Sequence, residues 1–303
     1  MGSKIKRIRV YRKNVFRDDH TGQKEGAEPM LLNVTEYHPE WGKPILESQH
    51  NQFGDAEQQT LSEYNDTGFL VREVLREPDG EILEEKTFEP DDQQRVKKEF
   101  RHYLDGTFDV LEFFYDEKGH VVRKILSDDE GEVETEEVFE YRNGLLMKET
   151  LLESGKEPIK ETVYIYDNDD FLDSKQVNDL ASDQVIRQEY SYNEAGHRDA
   201  VLTYDGSGEL IERILLNLDE KGRPVGIEEE NRQKKNKTVL TYDERDNIIF
   251  QEETDIYGDI VSKVVRAYDK NGWLLQSEVE VRNPVLAANQ HYEVYHEYEF
   301  YDG

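Results

Sequence analysis

The chain has 303 residues and no cysteine, and its 69 Asp and Glu outweigh 38 Lys and Arg to leave a formal net charge of -31. That balance disfavours nucleic acid and anionic membranes as partners, since both would repel it, and the missing thiols exclude disulfides and thiolate catalysis. Leu, Ile, Val and Phe make up about a quarter of the residues, above the roughly 20% that warns of disorder, so a folded chain with a thin core and a very polar surface is expected.

The first 17 residues hold Lys4, Lys6, Arg7, Arg9, Arg12, Lys13 and Arg17 and no acid. They lack the apolar stretch of a secretory signal, and no run in the chain approaches the ~20 apolar residues of a membrane helix. The expectation is a cytoplasmic protein. Residues 1–37 read as basic capping strands that pair with acidic neighbours and deter edge-to-edge association. The alternative is a docking arm for an acidic partner.

From residue 38 onward one turn signal recurs. It reads YNDTGFLVRE from Tyr64, YDEKGHVVRK from Tyr115, YNEAGHRDAV from Tyr192 and YDKNGWLLQS from Tyr268. Anchors fall at His38, Tyr64, Glu89, Tyr115, Tyr141, Tyr166, Tyr192, Leu218, Tyr242 and Tyr268, with spacings of 24 to 26 residues. A period in the 20–50 range means repeat architecture. Asp or Asn after the anchor bonds its own backbone two residues on, and Gly further along supplies a positive φ where the chain re-enters a strand. The Tyr ends a strand, with its hydroxyl free to stay wet.

A second turn follows half a period later, as at Pro78-Asp79-Gly80, Leu104-Asp105-Gly106 and Tyr257-Gly258-Asp259. Two turns per unit leave two strands rich in Val, Ile, Thr, Tyr and Phe, and no stretch has a 3.6-residue period, so helix should be scarce. The fold class expected is all-β. Ten units give a long antiparallel meander of about 20 strands over residues 38–280. Both faces of a strand such as Glu161–Tyr166 carry apolar residues, and flat sheets seldom exceed ~10 strands without curling. A curled or spiralling open sheet, its units stacked like a solenoid, is therefore expected.

The pattern Tyr-Asp-x-x-Gly-x-Leu/Val, as in Tyr115–Val121 and Tyr268–Leu274, resembles the YD repeat of bacterial Rhs proteins and animal teneurins over residues 38–303. The resemblance implies a spiralling β-sheet that forms a shell around a toxin or serves as an adhesive scaffold. The family's repeat is somewhat shorter and richer in Gly and Arg, its shells use more than ten units, and its C-terminal autoproteolytic signature is not visible here. A complete toxin shell is not expected.

The search for function falls on places where the units differ. Trp41 and Trp273 each follow a turn, and Trp273 shares its position with Phe69, His120, Phe171 and His197. Such rings either pack between units or form an aromatic stripe for a partner. The basic stretch 231–237, with Lys234 and Lys235, reads as an exposed loop or an anionic contact. Residues 281–303 fall off the period and form a capping hairpin, whose loop exposes Val285 and Leu286.

Catalytic patterns are missing. There is no HExxH, P-loop or GxGxxG, and Gly206-Ser207-Gly208 is not a nucleophile elbow. His291 and His296 stand five apart on one strand, so they face opposite ways and cannot share a metal. Acidic turns such as Asp167–Asp170 do not follow the calcium-loop pattern. No cofactor, no metal and no catalytic residue is expected. The reading is a non-enzymatic acidic β-repeat scaffold that binds another protein, basic if charge selects it. The alternative is an inhibitor or immunity-type protein that neutralises a basic effector by mimicking nucleic-acid charge. A carbohydrate-active protein, with aromatic rings stacking on sugars, ranks below both.

Overall fold

In the computed structural model, residues 4–17, 24–51, 53–154, 156–283 and 288–302 are described. The elements are all strands: β1 (Ile5–Arg17), β2 (Lys24–Gly26), β3 (Met30–Tyr37), β4 (Pro44–His50), β5 (Ala56–Tyr64), β6 (Leu70–Arg76), β7 (Ile82–Pro90), β8 (Val96–His102), β9 (Phe108–Tyr115), β10 (Val121–Ser127), β11 (Val133–Arg142), β12 (Leu145–Glu153), β13 (Glu157–Tyr166), β14 (Leu172–Asp179), β15 (Gln184–Tyr192), β16 (Arg198–Asp205), β17 (Leu210–Leu218), β18 (Pro224–Asn231), β19 (Lys235–Tyr242), β20 (Ile248–Thr254), β21 (Ile260–Tyr268), β22 (Leu274–Asn283) and β23 (Ala288–Phe300). No helix occurs among the described residues.

Contacts divide the chain into two units, one of residues 1–83 with 235–303 and one of residues 84–234. In the second unit β7 to β18 pair in chain order, every neighbour antiparallel. This is the expected meander. In the first unit β3 to β6 and β19 to β23 also pair consecutively, and β1 is inserted between β23 and β3.

That insertion corrects the open, spiralling sheet and the solenoid-like stack expected from the repeats. Within the first unit the first strand joins the start of the meander to its end, so the sheet closes there instead of staying open. The physical reason is edge pairing. An open meander leaves two rows of unpaired N–H and C=O groups, and β1 satisfies both rows.

Charge accompanies this placement. Arg7 bonds Glu36 of β3 and lies 3.0 Å from Glu299 of β23, while Lys6 Nζ is 2.6 Å from Glu299. The basic N-terminal segment thus pairs with acidic neighbours on both sides. The Arg7 guanidinium is held above its ordinary value, first by its hydrogen bond to Glu36.

Two anchors also move by one residue. Asp91 N bonds Arg95 O, so Pro90 rather than Glu89 occupies the anchor position. His38 N bonds Lys43 O, which makes Tyr37 the first anchor and gives its turn one extra residue. That insertion is why the spacing points one residue too far along the chain.

The core is thin, as the composition implies. Val15, Val74 and Leu240 are the buried apolar side chains among the described residues, beside the small polar Thr35, Ser48, Thr162, Ser174, Thr203 and Ser277. Within β13, Thr162, Tyr164 and Tyr166 share the face that carries the anchors, while Ile165 on the other face is 52% exposed. Little of the stability can come from apolar burial at about 25 cal/mol per Å². Ladder hydrogen bonds, ring contacts and ion pairs carry more of it than in an ordinary core.

Candidate partner-binding surface

Successive hairpins alternate between the two ends of each unit's sheet, so all anchor turns lie at one end and all second turns at the other. The two ends use the same backbone device. At the anchor turn of β9–β10, Asp116 N bonds His120 O at 2.9 Å and Gly119 N bonds Asp116 O at 3.1 Å. Asp116 Oδ1 accepts from Lys118 N and His120 N, both at 2.9 Å. Gly119 has φ +90°, which closes a type I turn with a left-handed bulge residue. Asp105 in a second turn likewise accepts from Thr107 N at 3.0 Å.

The carboxyls of Asp91, Asp116 and Asp219 are held below the ordinary carboxylate range. The largest cause in each is a side-chain hydrogen bond from the residue four positions on, namely Arg95, His120 and Arg223, supported by backbone amides.

What distinguishes the ends is the side chain that follows each turn. At the anchor end it folds back onto the Tyr of the next repeat. The His120 ring stacks 4.7 Å from Tyr141, Phe171 lies 4.9 Å from Tyr192, and the Arg95 guanidinium sits 4.1 Å over Tyr115. The Tyr hydroxyls are not wet, which corrects that expectation. Tyr64, Tyr115, Tyr166, Tyr192 and Tyr268 each donate to a main-chain carbonyl 19 or 20 residues earlier, at 2.6 to 3.1 Å. Burial holds the phenols of Tyr64, Tyr115 and Tyr166 above their ordinary value.

At the second-turn end the tips point outward. Phe53 is 77% exposed and Tyr257 84% exposed in the first unit, where Ile256 is exposed beside Tyr257. Leu104 is 81% exposed in the second unit, where Tyr103 and Leu180 are also exposed. Acids stand on both sides of the tip in Asp255-Ile256-Tyr257-Gly258-Asp259 and around Leu180 (Asp179, Asp183), and on one side at Phe53 (Asp55) and Leu104 (Asp105). Single exposed apolar residues are ordinary. Their concentration at one hairpin end, while the other end packs its rings, is the asymmetry that matters here.

The residues singled out from the sequence are scattered. Trp41 lies inside the first anchor turn, its ring 4.1 Å from His38 and 6.3 Å from Tyr64. Trp273 lies 5.3 Å from Tyr298 and is 36% exposed. Both pack between neighbouring hairpins at the anchor end of the first unit. The stretch 231–237 is a tight turn rather than a loop. Asn231 N bonds Lys234 O at 2.9 Å, and Lys235 begins β19. Lys234 Nζ pairs with Glu229 at 2.8 Å, and Arg232 lies 3.1 Å from Glu209. Val285 and Leu286 lie outside the described residues.

Sequence reasoning missed the exposed tips because it searched the anchor turns, where the motif is strongest. The available signal was an apolar residue at the centre of an acidic second turn, as at Phe53, Leu104 and Ile256.

Concavities also occur among the described residues. One of about 320 Å³ in the second unit is lined by Glu137, Glu149, Lys160, Thr162 and Lys175. Its carboxylates are already engaged, Glu137 by Lys124 at 3.0 Å and Glu149 by the Tyr164 hydroxyl at 3.0 Å. Another, a groove of about 430 Å³ in the first unit, is lined by Tyr11, Lys13, Leu275, Tyr295 and Glu297.

No family model matches the chain, and no curated protein matches it. Among solved structures, the TcdB2-TccC3-Cdc42 crystal structure aligns at 14% identity and a TM-score of 0.35, covering 89% of this chain and 17% of that one. The chain thus spans under a fifth of that relative's length. A porin-like protein from Bacteroides uniformis ATCC 8492 aligns at 9% identity and a TM-score of 0.35, covering 98% of each chain. TcdB2-TccC3 without Cdc42 aligns at 12% identity and a TM-score of 0.32, covering 91% of this chain and 20% of that one. All lie below a TM-score of 0.5, and none bears on function.

Proposed function

We propose that this chain is a non-catalytic, YD-like β-repeat scaffold that binds a basic protein through the second-turn end of its first unit. The observation that carries this reading is the asymmetry of the turns. In the first unit Phe53, Ile256 and Tyr257 stand 60% to 84% exposed in their turns, whereas the Trp41 and Trp273 rings at the anchor end pack against Tyr64 and Tyr298. Exposed aromatic and aliphatic side chains give an interface its anchoring contacts. Surrounding carboxylates give it charge complementarity and a fast encounter with a cationic surface. A net charge of -31 supplies the long-range field.

The test is affinity for a panel of purified basic proteins of graded charge, measured against salt for the native chain and a Phe53→Ala/Tyr257→Ala variant. The expected result is a partner whose binding survives moderate salt and weakens about tenfold or more in the variant. Binding that vanishes at moderate salt and ignores the variant would instead support the charge-mimicking inhibitor. No binding at any salt would end both readings.

A further inference from the structure

We propose that Glu278, Glu280 and His291 form a binding site for a divalent transition-metal ion of the zinc class. Glu278 and Glu280 stand two residues apart on β22 and therefore share a face. The antiparallel register with β23 runs without a break and sets His291 opposite Glu280 and Glu293 opposite Glu278. One donor atom from each of the three side chains lies within 4.8 Å of the others. His291 Nε2 is 2.8 Å from Glu278 Oε1 and 3.9 Å from Glu280 Oε1.

Those distances match what an ion would need. Zinc holds imidazole nitrogen and carboxylate oxygen at about 2.0–2.2 Å in a tetrahedron, which puts neighbouring donors about 3.4 Å apart. The observed 2.8 and 3.9 Å straddle that separation, so side-chain shifts of about half an ångström would complete the geometry. Two carboxylates and one imidazole supply three ligands and leave the fourth position to water. The imidazole selects the metal class, because calcium and magnesium take oxygen donors.

The setting is also favourable. His291 retains 15% of its side-chain exposure and the two glutamates 30% each. All three are mounted on paired strands rather than on a loop, which holds ligands to a tighter geometry. Lys263 is paired across β21–β22 with Glu280, but its ammonium lies 3.9 Å from Glu252 and 5.5 Å over the Phe250 ring.

The contrast with Glu77, Asp79 and Glu81 is instructive. Their carboxylate oxygens also lie within 4.8 Å of one another, yet all three are exposed, sit in a turn and include no nitrogen donor. They carry no site.

The full chain, freed of metal with a chelator and dialysed, is titrated with zinc by calorimetry and with cobalt by visible absorption. Saturable zinc binding and the intense absorption of tetrahedral cobalt are expected. His291→Asn and Glu280→Gln should each weaken zinc binding about tenfold or more. A Glu77→Gln/Glu81→Gln variant should bind as the native chain does. Melting curves without metal show whether each variant is folded, and only the native chain and the turn variant should gain thermal stability on adding zinc. Equal binding by folded His291→Asn, displacement of zinc by equimolar magnesium, or no saturable binding would each overturn the site. Should His291→Asn fail to fold, Glu280→Gln and the cobalt spectrum decide the matter.

Discussion

The Tyr192 hydroxyl donates a 3.0 Å hydrogen bond to the main-chain carbonyl of Leu172. The link spans 20 residues and joins the two open ends of one hairpin, Leu172 at the start of β14 and Tyr192 at the end of β15. Tyr64, Tyr166 and Tyr268 repeat it with Pro44, Leu146 and Ile248. The repeated Tyr is therefore a packed ring and a fixed donor at once.

Replacing Tyr192 by Phe keeps the ring against Phe171 and removes only the donor. The half-buried carbonyl of Leu172 loses a partner, so the cost should be about 1 kcal/mol. Urea denaturation should show a lower midpoint with an unchanged slope. A variant as stable as the native chain would show that the hydroxyl contributes nothing.

Gly222→Ala and Gly80→Ala separate backbone strain from packing. Both glycines have positive φ, +78° and +98°, but a Cβ on Gly222 would lie 2.4 Å from the His197 ring while one on Gly80 meets nothing within 4 Å. Gly80→Ala should cost about 1 kcal/mol from strain alone. Gly222→Ala should cost more, and His197→Ala in the same chain should recover part of the difference in denaturation midpoint.

Acid should unfold the protein through its turns. Asp91, Asp116 and Asp219 are held below the ordinary value in the folded state, against about 3.9 when unfolded. Their stabilisation is complete above the unfolded value and is lost as pH falls through the lower folded value. Relief of self-repulsion among the 69 acidic residues works in the opposite direction as acid lowers the net negative charge. Urea midpoints should hold or rise to about pH 4 and then fall. An Asp91→Asn/Asp116→Asn/Asp219→Asn variant keeps the turn acceptors and should show a flatter acid limb. An identical limb would place the acid sensitivity elsewhere.

Arg7→Glu should loosen the closure. It replaces two ion pairs, to Glu36 and Glu299, with like-charge contacts on both sides of β1. Amides of β1, β3 and β23 should lose hydrogen-exchange protection while those of β12 and β13 keep theirs. Freed edges also invite association, so sedimentation should report oligomers. Uniform protection across the sheet would show that backbone pairing alone holds β1.

The sequence made the period, the paired turns and the antiparallel order legible, because Asx acceptors and positive-φ glycines are local chemistry. It misplaced two anchors where local chemistry varied. Pro90 stands where Tyr is usual, and the turn at Tyr37 carries one extra residue. Closure was not legible, since the bond between Arg7 and Glu299 spans 292 positions and nothing local announces it. The metal-ligand cluster was hidden for a related reason. His291 was weighed only against His296 on its own strand, whereas its partners are Glu278 and Glu280 across a register that sequence spacing does not supply.

The placement of β1 has a consequence for how the protein is made. During synthesis β1 emerges first and β3 joins it as soon as it follows, but the other flank of β1 stays vacant until β23 leaves the ribosome. Between the synthesis of β3 and that of β23 the growing sheet exposes a basic strand on one side and its newest hairpin on the other. The final ladder is the most non-local in the molecule, and such pairings form slowly. The lysines and arginines of β1 then act as a guard, keeping a half-made sheet from pairing with its neighbours until its own last strand arrives.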